Sequence, residues 1–173
     1  MFSPQLWHAP VVSEATFRHL PTLQHELEQN LRTISASHKD VRFASSLAGE
    51  DMVITEVIAR LKLPITVFTH NTAKLNPETL ELLEATRQHF PELHIEQYHP
   101  QEEAVRHFDK NHGISSIYDS LEQRKLCCGI RKIEPLNRAL DGADAWLTGQ
   151  RRSQSATRTE LPFKEKDPQR GIT

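Results

Sequence analysis

Short apolar runs alternate with longer amphipathic stretches along the chain. Strands are predicted at 41–45, 65–69, 93–97 and 145–147, where β-branched and aromatic residues cluster. Helices are predicted at 14–35, around 53–61, and at 76–89, 101–109 and 133–140, where apolar side chains recur at helical spacing. Strands that alternate with helices in this way favour an α/β fold with a mostly parallel sheet and helices on both faces.

Local signals refine three of these helices. Pro21 is expected to break or kink the first turn of the first helix, because proline lacks the amide that a helix interior needs. In the second helix Val53, Val57 and Leu61 form one apolar stripe. Asn76 is expected to cap the third helix, followed by Pro77 at the first helical position.

The length of 173 residues suits one domain. Residues 1–13 are expected to form a loose N-terminal segment and residues 159–173 a loose tail. Because the tail stops without a final helix or strand pattern, we expect a C-terminally truncated chain.

Composition narrows the class of protein. Hydrophobic residues make up 37% and charged residues 25%, with a mean hydropathy of −0.56, which is typical of a soluble globular protein. No apolar run reaches the ~20 residues of a membrane span, and no secretory signal begins the chain, so a cytoplasmic location is expected. The oligomeric state, including a homo-oligomer, is left open.

Charge is unevenly distributed along the chain. Residues 76–110 carry eight acids against three bases, whereas residues 121–158 carry eight bases against four acids. The basic segment favours an anionic ligand over a purely solvated face. Nucleic acid is not expected as a partner, since aromatic residues make up only 6% and do not interleave with the cations.

The only two cysteines, Cys127 and Cys128, are adjacent and surrounded by cations. Neighbouring Cα atoms lie about 3.8 Å apart, below the usual disulfide spacing, so a mutual disulfide is not expected. Nearby positive charge favours the thiolate, which is the form that binds metal or reacts. A tetrahedral metal site or an iron–sulfur cluster usually takes four ligands, so the pair represents half of such a site.

The stretch Ser45-Ser46-Leu47-Ala48-Gly49-Glu50-Asp51 lies between a predicted strand and helix. Its hydroxyls and backbone amides can surround a phosphate or sulfate at the helix N-terminus, with Gly49 as the permissive backbone position. A turn that merely caps the helix is an equally good interpretation of this stretch alone. The carboxyl ends of parallel strands would bring it to one sheet edge with the segments HNTAKLN and TGQRRSQ.

Four ordered motifs together resemble a known family. SSLAGEDMV, NTAKLNPET, RKLCCGIRKIEPLNRAL and TGQRRSQSATR occur in the order and spacing of assimilatory adenylyl-sulfate reductases, within the adenylyl-sulfate and phosphoadenylyl-sulfate reductase family. The resemblance covers about residues 38–170. It implies an adenine nucleotide alpha-hydrolase-like (PP-loop) fold, and the vicinal cysteines resemble the cluster-bearing, adenylyl-sulfate-using branch.

The resemblance also implies a reaction and a set of partners. In this family a cysteine near the C-terminus attacks the sulfur of adenylyl sulfate, AMP leaves, and thioredoxin releases sulfite from the enzyme S-sulfonate. A 4Fe–4S cluster lies beside the substrate, held by the vicinal pair and a later Cys-x-x-Cys. Cys127 and Cys128 would be two of its four ligands.

The remaining expected site residues follow from the same comparison. Lys132 matches a lysine between cluster and sulfate and would act as an electrostatic helper. The residues expected to contact the substrate are Ser45, Ser46, Gly49, Glu50, Asp51, Thr72, Lys74, Arg131, Lys132, Thr148, Gly149, Arg151 and Arg152.

Three features depart from the family pattern. Asn71-Thr72-Ala73-Lys74-Leu75 stands where Asp-Thr-Gly-Arg-Leu is usual, and Ala48-Gly49 reverses the commoner Gly-Ala order. The later Cys-x-x-Cys and the nucleophilic cysteine are absent, so no catalytic nucleophile is expected in this chain and no turnover. A module that only binds adenylyl sulfate is therefore one alternative.

Other interpretations compete with the reductase. A PP-loop ATP pyrophosphatase of the tRNA-thiolation type lacks support from the loop, which is not of the SGGxDS form. A phosphoadenylyl-sulfate reductase is a further alternative. Zinc is disfavoured, because the ten histidines show no spacing typical of zinc ligands around the cysteine pair.

Overall fold

A four-stranded parallel sheet forms the centre of the computed structural model, which describes residues 11–113, 115–151 and 162–173. The strands are β1 Val41–Ala44, β2 Ile65–His70, β3 Ile95–Tyr98 and β4 Ala145–Thr148, in the spatial order β3-β2-β1-β4. Val41 lies opposite Ile65 on one side and Ala145 on the other. The predicted parallel α/β fold is confirmed.

Six α-helices occur in the described residues. They are α1 Glu14–Ser37, α2 Gly49–Arg60, α3 Pro77–His89, α4 Glu102–His112, α5 Leu121–Cys128 and α6 Glu134–Ala139. A 3₁₀ turn, Ser116–Tyr118, precedes α5, and a π-helical turn, Gly129–Ile133, joins α5 to α6. None of the helices in the described ranges is long and apolar enough to cross a membrane.

Both faces of the sheet are covered, because successive side chains of a strand point to opposite faces. Phe43 and Val67 pack in one apolar cluster with buried residues of α1, α2 and α3. Phe68, the next residue of β2, packs in a second cluster with Ala139 and Leu140 at the end of α6. The prediction of helices on both faces is confirmed.

The first helix differs from its predicted form. Helix α1 runs through Pro21 without interruption. Its first half is exposed, with Phe17 68% and Leu23 55% accessible, so the carbonyl of Phe17 that Pro21 leaves unbonded can meet water. Only Leu31, near the other end, is buried in the core.

The apolar stripe predicted for the second helix is wrong at one end. Val53 is 56% exposed, whereas Asp51, Thr55 and Ile58 are buried on the inner face. The helix is rotated because Asp51, a polar residue, faces the protein interior.

Helix α3 has the predicted bounds, but its N-cap works differently. The Asn76 side chain makes no capping hydrogen bond in the described structure, and its backbone carbonyl accepts from the Thr79 amide at 3.0 Å. The start of the helix was predicted correctly, whereas the expected side-chain cap from Asn76 does not form.

The segment predicted as a loose tail lies against the sheet over its last residues. The Trp146 amide donates to the Thr173 carbonyl at 2.8 Å, and the Thr173 amide donates to the Asp144 carbonyl at 3.2 Å. Ile172 packs on the Phe68 cluster. The predicted loose segment at 1–13 lies outside the described residues up to residue 10.

Replacing Phe43 by alanine is expected to lower the free energy of unfolding by about 3–5 kcal/mol, because this side chain is fully buried in the core. Phe163→Ala is the matched control, since Phe163 is 77% exposed and should change stability by less than about 0.5 kcal/mol. Urea unfolding measures both. Equal effects of the two variants would contradict the assigned core.

Candidate functional site: three loops at the carboxyl edge of the sheet

Three loops meet where β1, β2 and β4 end. They comprise residues 45–48, 71–76 and 149–151. Strand β1 lies between β2 and β4, so the chain leaves β1 in one direction for β2 and β3 and later returns on its other side. In open parallel sheets the crevice at such a reversal of strand order is the usual ligand site.

The loop after β1 folds around the carboxylate of Asp51. The Ser46 amide and hydroxyl donate to Asp51 Oδ2 at 2.6 and 2.5 Å, and the Leu47 amide donates to Ser45 Oγ at 3.2 Å. Ser45 and Asp51 are buried, whereas Ser46 and Gly49 reach the surface. In the described part of the chain, no side chain caps the N-terminus of α2, which leaves this end suited to an anion.

The backbone role predicted for Gly49 is corrected by this loop. The left-handed residue is Leu47, with φ +64°, and Gly49 is the first residue of α2. Leu47 holds this conformation because its side chain is buried in the core, only 6% exposed. The reversed Ala48-Gly49 order therefore sits at the helix start and not at the strained position.

Gly149 brings the loop after β4 against the loop after β1. A Cβ atom at this position would lie 1.9 Å from Asp51 Oδ1 and 3.2 Å from Glu50 Cγ. Only glycine permits this approach. Beside it, Arg151 Nε lies 3.4 Å from Glu50 Oε1, and the arginine side chain is 60% exposed.

These contacts bring together the predicted residues of two motifs. Ser46, Glu50 and Asp51 adjoin Gly149 and Arg151, and Thr148 ends β4 beside them. Arg152 lies outside the described residues.

The loop after β2 is held by three hydrogen bonds. The Asn71 amide donates to the Tyr98 carbonyl at 2.9 Å, and the Ala73 amide donates to Asn71 Oδ1 at 3.0 Å. The Thr72 carbonyl accepts from Arg131 Nη1 at 3.0 Å. Ala73 is left-handed, with φ +55°, at the position where the resembled family has glycine. The asparagine side chain and the arginine thus hold a turn that glycine would adopt without strain.

The cysteine pair ends helix α5, which was not predicted. Ser120 caps this helix, its Oγ accepting from the Gln123 amide at 3.1 Å. The Ser-x-x-Gln pattern is a helix-start signal that sequence reasoning missed. Cys127 is buried, Cys128 is partly exposed, and both are free thiols in this structure.

A π-helical turn follows the cysteines because of Pro135. A proline ring clashes with the carbonyl four residues earlier, here that of Arg131, and cannot donate to it. The Glu134 amide donates instead to the Gly129 carbonyl, five residues back. The widened turn turns Arg131 inward, 4% exposed, while Lys132 points to the surface.

His70 is a site residue that sequence reasoning missed. It is the last residue of β2, at the carboxyl edge of the sheet. Its ring packs against that of Phe68 in a T-shaped arrangement, with 5.4 Å between the ring centroids. Its buried Nε2 has no hydrogen-bond partner among the described residues. Burial lowers the pKa of the imidazole, and the charges of Lys132 and Arg138 lower it further. The one signal available in the sequence was its position as the last residue of an apolar strand.

The described residues fit only part of a metal centre. No group of three or more His, Cys, Asp or Glu side chains within the described ranges could hold a metal ion. A 4Fe–4S cluster takes four thiolates, and the 173 residues contain two. The pair alone does not fit a complete cluster.

The structure links the cysteine turn to the loop after β2 through Arg131, and the loop after β1 to the loop after β4 through Asp51 and Gly149. Lys74 is exposed in the loop after β2. A parallel sheet with these loops at its carboxyl edge defines an α/β protein of the PP-loop-like class.

Comparison with known proteins gives the family. Residues 40–172 match the phosphoadenosine phosphosulfate reductase domain. The chain is 50% identical to an adenosine 5'-phosphosulfate reductase of Neisseria meningitidis serogroup A over 172 residues, which cover 99% of this chain and 70% of the relative. It is 49% identical to the Burkholderia cepacia protein of the same name over 84% of this chain and 58% of that relative. The chain belongs to the adenylyl-sulfate and phosphoadenylyl-sulfate reductase family.

A solved structure agrees with this assignment. The phosphate complex of phosphoadenylyl-sulfate reductase from Candida auris superposes with a TM-score of 0.70 at 25% identity, over 95% of this chain and 79% of that one. The predicted family and fold are both confirmed.

Gly149→Ala is expected to lower the free energy of unfolding by about 1–3 kcal/mol, because the added methyl group displaces the Asp51 carboxylate. Gly129→Ala is the matched control: its backbone is helical, with φ −56°, and a Cβ there meets nothing within 4 Å. The control should keep or raise stability by up to about 1 kcal/mol. Unfolding in urea checks both, and a neutral Gly149→Ala would contradict the close approach.

His70 is expected to make the protein less stable as the pH falls below 6.5. The pKa of His70 in the folded state lies below the ordinary value of 6.5, so the unfolded chain takes up the proton first and unfolding is favoured in acid. His70→Gln should flatten the decline of unfolding free energy between pH 7.5 and 5.5. The control His19→Gln removes an exposed histidine of α1 and should keep the wild-type slope. An unchanged slope in His70→Gln would rule out this role.

Proposed function

We propose that the chain provides the adenylyl-sulfate-binding core of a thioredoxin-dependent adenylyl-sulfate reductase. The observation that carries this proposal is the joining of the 45–51 loop to the loop after β4 at the reversal of strand order. Helix α2 begins in this loop at Gly49 without a side-chain cap, and Arg151 lies 3.4 Å from Glu50 in its first turn. The matched relatives at about 50% identity are adenosine 5'-phosphosulfate reductases, whereas the phosphoadenylyl-sulfate reductase structure is 25% identical. The higher identity supports adenylyl sulfate over its 3'-phosphorylated form.

The reaction has a clear electrostatic demand. A thiolate attacks the sulfur of adenylyl sulfate, the bond from sulfur to the phosphate oxygen breaks, and AMP leaves with the electron pair. A thioredoxin thiolate then attacks the cysteine sulfur of the S-sulfonate and displaces sulfite, which forms a mixed disulfide. The other thioredoxin thiol resolves this disulfide and releases the enzyme thiol, so that two thioredoxin thiols are oxidised to one disulfide for each sulfite formed. Amides and cations aimed at the phosphate stabilise the charge that develops there. In this chain the amide end of α2, Arg151 and Lys132 would serve this role.

The thiols within the chain do not serve as the nucleophile in this proposal. Cys127 is only 7% exposed, and both cysteines lie at the end of α5. We assign them to cluster ligation, for which two further thiolates would be required from outside these 173 residues. The 173 residues alone are accordingly expected to bind adenylyl sulfate without releasing sulfite when thioredoxin is supplied.

Calorimetric titration with adenylyl sulfate, AMP, phosphoadenylyl sulfate and ATP tests the proposal. Adenylyl sulfate should bind most tightly, and Arg151→Ala should weaken it by about tenfold or more through loss of a charged contact. Arg18→Ala is the matched control, since Arg18 is also an exposed arginine paired with a glutamate, 3.6 Å from Glu14. It should leave the affinity unchanged.

Two results would contradict the proposal. Preferred binding of ATP with release of pyrophosphate would indicate the PP-loop ATP pyrophosphatase instead. Sulfite release by the 173 residues would show that a thiol of this chain is the nucleophile.

A further inference from the structure

Arg131 and Asp51 are the most buried charged residues within the described ranges, each 4% exposed over the whole residue. Its guanidinium divides its contacts between two partners. Nη1 donates to the Thr72 carbonyl at 3.0 Å, and Nη2 lies 2.9 Å from both carboxylate oxygens of Asp109.

These contacts join three separate elements. Arg131 lies in the π-helical turn after the cysteines, Thr72 in the loop after β2, and Asp109 in helix α4. The N–H donors of a planar guanidinium point in fixed directions relative to each other. When Nη2 is bound to Asp109, Nη1 is therefore directed at the Thr72 carbonyl. The turn that carries the cysteines is thereby fastened to the loop.

The loop depends on this contact for its shape. Ala73 holds a left-handed conformation that is strained for an alanine, and Arg131 binds the carbonyl of the peptide immediately before it. Lys74, one of the residues expected to contact the substrate, follows immediately. Movement of this peptide would therefore displace Lys74.

The charge of Arg131 is already matched by Asp109, and its side chain is 5% exposed against 27% for the aspartate. Because its charge is paired and buried, the guanidinium acts by orienting its hydrogen-bond partners more than by attracting an anion to the carboxyl edge of the sheet. This distinguishes Arg131 from its neighbour Lys132, which is exposed.

We propose that Arg131 is a positioning residue: it holds the loop after β2 in its nucleotide-binding shape through the Thr72 carbonyl and does not itself contact the nucleotide. The proposal rests on the proposed function for the identity of the ligand. It replaces the expectation that Arg131 contacts the substrate directly.

Arg131→Lys is the test variant, because one ammonium keeps the charge but cannot reproduce the two-sided fork. Arg42→Lys is the matched control: Arg42 Nη1 also binds a backbone carbonyl, that of Ala139 at 2.6 Å, and its Nη2 a carboxylate, that of Asp40 at 2.8 Å. Arg42 lies within β1, and these two hydrogen-bond partners, Asp40 and Ala139, lie outside the loop after β2. Asp109→Asn is a milder second variant that retains Arg131 and an acceptor oxygen.

Two measurements are made on each 173-residue variant. Hydrogen exchange followed by mass spectrometry reports on the amides of residues 71–75, and calorimetric titration gives the affinity for AMP. In Arg131→Lys we expect exchange to rise and AMP affinity to fall, each by about tenfold or more, as for loss of a charged hydrogen bond. Asp109→Asn should raise exchange at the same amides by a smaller factor, whereas Arg42→Lys should change neither quantity.

Unchanged exchange at residues 71–75 in Arg131→Lys would overturn the proposal, as would faster exchange with unchanged AMP affinity. Equal losses of affinity in Arg131→Lys and Arg42→Lys would indicate general destabilisation and would also overturn it. If Arg131→Lys does not fold, the exchange result for Asp109→Asn decides. If the wild-type chain binds no AMP, the proposed function fails, and the exchange comparison still decides whether Arg131 holds the loop.

Discussion

The buried carboxylate of Asp51 makes the contacts that hold the loops after β1 and β4 together at the carboxyl edge of the sheet. One oxygen binds the amide and the hydroxyl of Ser46, and the other lies against Gly149. A carboxylate that is 4% exposed is costly to bury unless hydrogen bonds satisfy it. Because Ser46 satisfies it, the first turn of α2 is held inward, and the loops after β1 and β4 close on each other. The close approach of these two loops depends on this one carboxylate.

A second buried charge organises the other half of the edge. Arg131 does for the loop after β2 what Asp51 does for the loop after β1, in that a paired ionic group fixes a backbone turn. Its inward position depends on the π-helical turn, and that turn depends on Pro135. The sequence Gly-Ile-Arg-Lys-Ile-Glu-Pro thus sends one cation into the protein and leaves the next on its surface. Arg131 and Lys132 are adjacent cations in the sequence, but the first is buried and the second is exposed.

The structure explains how the loop after β2 keeps its turn although its sequence departs from the family pattern. Alanine replaces glycine at a left-handed position in the loop after β2, and Asn71 retains the side-chain acceptor for the Ala73 amide. Asparagine and aspartate both accept at this position, so the turn is kept while one negative charge near the ligand edge is removed.

Much of the fold could be predicted from local patterns. The alternation of apolar runs with helical spacing predicts four parallel strands, and Asn76-Pro77 predicts the start of α3 at the correct residue. The vicinal cysteines, the serine-containing loop and the family resemblance were likewise readable along the chain. Helix α5 was missed although Ser120 and Gln123 signalled it, because the polar stretch around it lacked an apolar period.

The chain order therefore determined the strand and helix sequence, the family, and the meeting of three motifs at one sheet edge, since these depend on neighbours in sequence and on the rule that parallel strands end together. Only the tertiary structure decided that Asp51 faces inward, that Val53 faces outward, and that the Nε2 atom of the half-buried His70 lies out of reach of water. It also decided the burial of Arg131, whose partners lie 59 and 22 residues away in sequence. A charged side chain can be buried only where such distant groups converge to satisfy it, and no local pattern records that convergence.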